Sequence, residues 1–217
     1  MNDLPVVVGV TGASGAVYAL RLLDVLLAAE REVHLAVSPS GAAVIQQELG
    51  IELDMQRPDP AALLSHSSPL LPHRDAATPA DFRVPASLHV HHYQDFMAPI
   101  ASGSFLTAGT VICPCSGTTL SAIAAGAAGN LIQRSAEVAL KERRRLVLVP
   151  RETPVSLTHI DNMRKAAEAG ATILPAAPGW YHGVESLADL VDFVVARVCD
   201  QLGVRNALVK RWGEEES

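Results

Sequence analysis

Two stretches of small polar residues carry the first chemical signal. Gly9-Val10-Thr11-Gly12-Ala13-Ser14-Gly15 closes a run of valines, and Pro114-Cys115-Ser116-Gly117-Thr118-Thr119 closes a second apolar run. Glycines let a ligand approach the main chain, and amides at the start of a helix favour an anion. The first stretch therefore suits a phosphate-bearing ligand, although a tight strand-to-helix turn uses the same residues. The second offers three hydroxyls that could hold a phosphate or the polar edge of a ring, or could simply cap a helix. Ser38 ends another short apolar run and has the same two uses.

Charged residues supply the next candidates. Arg134 and Lys141 are seven apart, which is two helical turns, so on a helix they share a face. A solvated face is the ordinary use of such a pair. Arg151 and Glu152 directly follow Leu146–Val149, and charges at the carboxyl end of a parallel strand lie where ligands bind. An adjacent base and acid there could bind a phosphate and move a proton. His89, His91 and His92 raise a metal reading, with His89 and His91 on one strand face. No carboxylate or cysteine stands nearby at ligand spacing, so the reading is weak and no metal is expected. Cys113 and Cys115 are spaced CxC at a strand end. Cys113 suits a core, and Cys115 is a weak loop candidate.

The elements that must position these groups alternate. Val6–Val10, His34–Val37, Thr110–Cys113, Leu146–Val149 and Ala171–Leu174 are expected as strands. Helices are expected over Ala16–Leu27, Ser40–Leu49, after Ser116, over Ile132–Arg145 and Thr158–Ala169, and from Ser186 to about Leu202. Pro114, Pro150 and Pro175 each stop a strand, and Gly170 suits the end of a helix. The pattern implies an α/β fold: a three-layer, Rossmann-like, doubly wound parallel sheet with helices on both faces. The 217 residues suit a single domain, with 56–90 as a surface excursion rich in Pro, Ser, Ala and His and 204–217 as a tail. A net charge of −6 with no basic block argues against nucleic acid. No apolar run reaches membrane-spanning length, no signal peptide is visible, and three cysteines make no disulfide framework, so a cytoplasmic setting is expected.

With these groups in place, the chain resembles the flavin prenyltransferases, within the homo-oligomeric flavin-containing Cys decarboxylase fold group. The matching segments are Thr11–Gly15, Ala98–Ser104, Pro114-Cys115-Ser116 with Thr119-Leu120, and Asn130-Leu131-Ile132 with Arg134. They continue through Leu140–Arg144, Leu146–Pro154, Leu174–Pro178 with Tyr181-His182, and Asp189–Val195 with Arg197. The resemblance covers nearly all of the chain outside about 56–90. Three positions depart from the family pattern: Phe96 stands where related sequences often carry Trp, Pro39 where some carry Lys, and 56–90 looks longer than usual.

The resemblance implies an enzyme that transfers a dimethylallyl group from dimethylallyl phosphate to N5 and C6 of reduced FMN. It implies FMN held by Gly12, Ala13, Ser14, Ser38, Ser116, Gly117, Thr118, Thr119 and Arg151. It implies the prenyl phosphate held by Tyr181 and Arg197, with Phe96 as a wall and Arg134 and Lys141 closing from a neighbouring subunit. Glu152 would manage the proton on the departing phosphate, and Glu48, Ser14 and Lys141 complete the catalytic set. The family also implies a homo-oligomer, commonly a dodecamer, and a separate decarboxylase that uses the product. Two rival readings remain: a flavin-dependent cysteine decarboxylase, and a protein that stores or delivers FMN. The absence of an aspartate-rich motif fits a monophosphate leaving group that needs no Mg²⁺.

Overall fold

The computed structural model describes residues 4–65, 68, 71, 85 and 87–211. Within them the chain runs β1 (Val6–Val10), α1 (Ala16–Ala28), β2 (Val33–Val37), α2 (Pro39–Leu49), α3 (Pro60–Leu64) and β3 (Leu88–His91). It continues through β4 (Gly109–Cys115), α4 (Gly117–Ala124), α5 (Leu131–Lys141), β5 (Arg145–Pro150), α6 (Leu157–Glu168), β6 (Thr172–Ile173) and α7 (Leu187–Leu202). All six strands pair in parallel in the order β3-β2-β1-β4-β5-β6. The order turns back on itself between β1 and β4. A doubly wound sheet opens a crevice at such a switch point, outside the carboxyl ends of its strands.

Strand alternation divides the interior into two cores. Val6, Val8 and Val10 face α1, α2 and α7, whereas Val7, Ala36, Ile112 and Leu148 face α4, α5 and α6. Helices therefore cover both faces, and the strands read as unbroken apolar runs because neither face meets water. On the first face, α1 and α7 are clamped by a bidentate pair: Arg21 Nε donates to Asp192 Oδ1 at 2.6 Å and Nη2 to Oδ2 at 3.1 Å. Both side chains are about nine-tenths buried. Ser186 and Asp189 start α7 with reciprocal side-chain to main-chain bonds, a capping box that holds its first turn.

Several boundaries differ from the sequence expectation. β4 continues through Pro114 to Cys115, because the register with β5 shifts between Ile112 and Cys115 and the proline's missing N–H falls at that irregularity. The helix expected to reach Arg145 ends at Lys141. Arg143 takes a left-handed conformation (φ 53°), which stops the helix. Arg144 instead donates to the carbonyls of Phe105 (2.6 Å) and Gly103 (2.5 Å), anchoring the loop ahead of β4. The last strand shrinks to Thr172–Ile173, although Leu174 N–H still donates to Leu148 O at 2.8 Å.

The segment 56–90 is more than a surface excursion. It holds α3, whose Leu63 and Leu64 are buried in the α1 core, and Leu71 is buried with them. Its end forms the edge strand β3, which sets His89 and His91 on one strand face as their spacing suggested. The rest of it, 66–67, 69–70, 72–84 and 86, lies outside the described residues, as do 212–217 of the tail. No helix among the described residues is long and apolar enough to cross a membrane.

The Arg21–Asp192 clamp gives a stability test. Asp192→Ala leaves a mostly buried guanidinium without its carboxylate and should lower the unfolding free energy by about 3 kcal/mol in urea titration. Replacing both partners with apolar residues should recover most of that loss.

Candidate functional site

A single buried hydroxyl joins the two loops at the switch point. Thr11 Oγ1 donates to Pro114 O at 2.8 Å and accepts from Ser116 N–H at 2.8 Å, while Thr11 N–H also donates to Pro114 O at 3.2 Å. The end of β1 and the end of β4 are thereby set at a fixed separation. Ser116 then caps α4: its Oγ accepts from Thr119 N–H at 3.3 Å and donates to Thr119 Oγ1 at 3.1 Å. Ser38 caps α2 in the same way, accepting from Gly41 N–H at 3.0 Å. The capping role expected of both serines is therefore real, and both also line a cavity.

Two adjoining cavities open at these strand ends. One, of 720 Å³, is lined by Gly12, Ser116, Gly117, Thr118, Glu152 and His159, among others. The other, of 430 Å³, shares Gly12, Ser116 and Thr118 and adds Ser38, Tyr93 and Asn130. Volumes of this size suit an organic ligand or cofactor. Their floor depends on two bare glycines. A Cβ on Gly12 would lie 2.5 Å from Ser40 Cβ, and one on Gly117 would lie 2.6 Å from His159 Nε2. The hydroxyls of Ser116, Thr118 and Thr119 and the part-exposed backbone of Gly12 and Gly117, beside cavities of this size, fit a phosphorylated ring compound.

The glycine loop is held by charge. Glu48, projecting from α2, accepts from Gly15 N–H at 3.0 and 3.1 Å and from Ala16 N–H at 2.8 Å. The first amides of α1 thus already have an anion, the chain's own carboxylate, where a ligand phosphate was the expected occupant. Of the loop ahead of them, Gly12 lines both cavities. Arg151 Nε donates to Ser14 O at 3.1 Å and ties β5 to the same loop.

Glu152 lines the larger cavity, with its Oε2 3.6 Å from His159 Nε2. His159 is oriented in turn by Ser156, whose Oγ lies 2.7 Å from Nδ1. A serine proton given to Nδ1 leaves the remaining ring proton on Nε2, facing Glu152. Sequence reasoning placed His159 in a helix and missed it as a cavity residue, along with Tyr93, Gln133 and Asn162. Only the fold brings these to the strand ends, so no local spacing signalled them.

Other expected residues lie apart. Arg134 and Lys141 are both on α5 and line neither cavity. Arg134 Nε donates to Ala101 O at 3.0 Å and its Nη1 to Glu137 at 2.7 Å, while Lys141 Nζ sits 3.3 Å from Glu142. Tyr181 packs edge-on against Phe193 with ring centroids 5.7 Å apart, and Arg197, one turn on from Phe193 along α7, donates to Asp200 at 2.9 Å. Arg197 lines a separate 260 Å³ cavity beside β6. Phe96 is about half exposed. Lys141, Tyr181, Arg197 and Phe96 are thus exposed on one chain, whereas Arg134 is half-buried. Cys115 is buried and its thiol is pushed up to about 12 by burial, and burial pushes Cys113 higher still, so neither provides a thiolate near neutral pH.

The Flavoprotein family matches residues 1–199 of the chain. The flavin prenyltransferase UbiX of Pseudomonas aeruginosa is 48% identical over 210 residues, covering 97% of this chain and 94% of that protein. A crystal structure of AnUbiX in complex with FMN and dimethylallyl pyrophosphate superposes with a TM-score of 0.81 at 36% identity, covering 99% of this chain and all of that one. The dodecameric FMN-dependent Ubix-like decarboxylase of Escherichia coli O157:H7 gives 0.77 at 36% identity, over 97% of this chain and all of that one.

The Thr11 bridge can be tested without any ligand. Thr11→Val keeps the shape but removes the acceptor of the part-buried Ser116 N–H and the donor to Pro114 O. It should cost about 2 kcal/mol of stability in urea unfolding, with Thr11→Ser losing less than half as much.

Proposed function

Because the chain belongs to the flavin prenyltransferases of the Flavoprotein family, we propose that it transfers a dimethylallyl group from dimethylallyl phosphate to N5 and C6 of FMN. The observation that carries this reading is the pair of loops joined by Thr11, with Glu152 on the wall of the cavity between them. Gly12, Ala13 and Ser14, with Ser38 and Arg151, hold the phosphate and ribityl side of FMN. Ser116, Gly117, Thr118 and Thr119 hold the ring. Reduced flavin bound there would supply the nucleophile at N5, and ring closure at C6 would require a proton added to the prenyl double bond and the C6 proton removed.

The chain's own residues manage the leaving group. The allylic carbon–oxygen bond breaks as the new carbon–nitrogen bond forms, and the electron pair departs on phosphate. Arg and Lys beside that phosphate stabilise the developing negative charge, and an aromatic wall shelters the allylic cation from water. Glu152 passes a proton to the departing phosphate, with His159 Nε2 3.6 Å from its carboxylate. Ser14 and Glu48, linked through the start of α1, serve the proton movements that follow on the ring.

Arg134, Lys141, Tyr181, Arg197 and Phe96 line neither of the two cavities of their own chain. We therefore assign the prenyl-phosphate site to a junction between copies, in which these residues reach the cavity of a neighbour. Self-association follows from that assignment, and the assembly proposed is a dodecamer, as in the E. coli relative. The broad exposure of Met97, Leu157, Trp180 and Leu187 supplies apolar surface for such contacts. The protein works as one domain in the cytoplasm, where its three unpaired buried cysteines stay reduced. Its product passes to a decarboxylase that uses prenylated flavin.

Reduced FMN and dimethylallyl phosphate, incubated anaerobically with the protein, should yield a flavin heavier by one five-carbon unit in mass spectrometry. Glu152→Gln should slow that conversion by about 10²- to 10⁴-fold while FMN still binds. Unchanged flavin with both the monophosphate and the diphosphate donor would refute the transferase reading and favour storage or delivery of FMN.

A further inference from the structure

A second group of ligating side chains lies at the opposite end of the sheet from the flavin loops. His34 stands at the start of β2, four residues before Ser38, or about 13 Å along the strand. The parallel register of β2 with β3 sets His34 beside His89 and Ala36 beside His91, so all four share one face of the sheet. Glu32 directly precedes β2 and folds its carboxylate onto that face. Its Oε1 lies 3.1 Å from His34 Nε2 and 3.3 Å from His89 Nε2, and the three ligating atoms all fall within 4.8 Å of one another. The sequence alone weakened the metal reading of His89 because it found no nearby carboxylate. The missing carboxylate and a second imidazole arrive from β2, more than fifty residues earlier.

We propose that Glu32 Oε1, His34 Nε2 and His89 Nε2 form a binding site for a divalent transition metal of the zinc class. Two imidazoles and one carboxylate are a donor set that zinc accepts, with the fourth position left to water. Bonds of about 2.0–2.2 Å in a tetrahedron place neighbouring ligand atoms about 3.4 Å apart, and the two Glu32 separations are close to that. His34 is buried and fixed, with its ring edge against Phe105 at a centroid distance of 4.9 Å. Its second nitrogen, Nδ1, lies 2.8 Å from His91 Nε2. A proton on Nδ1 donated to His91 leaves the Nε2 lone pair for the metal, the outer contact by which imidazole ligands are commonly oriented. Glu32 and His89 are roughly half exposed, so the ion can enter from solvent and keep a water ligand. The site is separate from the flavin cleft and does not rest on the assignment of its chemistry.

The test titrates the full-length, metal-free protein with Co²⁺ and then with Zn²⁺. The expected result is one Co²⁺ per chain with the visible absorption of a tetrahedral site, displaced by one equivalent of Zn²⁺. His89→Ala and Glu32→Gln, both at partly exposed positions, should abolish the signal while FMN binding is retained, which shows that the fold survives. His91→Ala should weaken Co²⁺ by about 10- to 100-fold without abolishing it. No saturable Co²⁺ binding, or binding that persists in both His89→Ala and Glu32→Gln, would overturn the proposal.

Discussion

The Thr11 hydroxyl is the constraint on which the site depends. It donates to Pro114 O and accepts from Ser116 N–H, each at 2.8 Å. One buried group thereby fixes the carboxyl ends of β1 and β4, the two strands at which the sheet order reverses. A doubly wound sheet always opens there, but the width and floor of the opening are not given by topology. They follow from this bridge, from the bare positions at Gly12 and Gly117, and from the serines that start α2 and α4.

Electrostatics is arranged around that cleft with economy. The positive end of α1 is occupied by Glu48, so the loop ahead of it is held rigid before any ligand arrives. Arg151 grips the same loop through Ser14 O. Glu152, the next residue, projects into the larger cavity beside His159. A positive anchor and an acid are thus consecutive on one strand end and perform different tasks. Arg134 and Lys141 on α5 and Arg197 on α7 line neither of the two cavities.

Much of this was legible in the sequence, for physical reasons. The valine runs, the glycine loop and the hydroxyls after Pro114 mark buried parallel strands feeding helix starts, and the fold places them there. Arg151 and Glu152 were legible because they follow a strand directly. Other features depend on tertiary proximity. The capture of α1's amides by Glu48 joins residues more than thirty apart, and His159 enters the cavity only because α6 packs against α4. The edge strand β3 was signalled only by the spacing of His89 and His91, because its four residues close a segment of loop-like composition. The premature end of α5 turns on one left-handed residue, Arg143, in a run of charges that otherwise favours a helix terminus.

The most direct measurement is the structure of the assembled protein with FMN and dimethylallyl phosphate bound. The account predicts the flavin lying across the two loops bridged by Thr11, with Glu152 of the same chain beside the phosphate of the donor. It also predicts Tyr181, Arg197, Arg134 and Lys141 arriving at that phosphate from other copies. A flavin bound elsewhere, or a donor phosphate enclosed by residues of one chain alone, would contradict it.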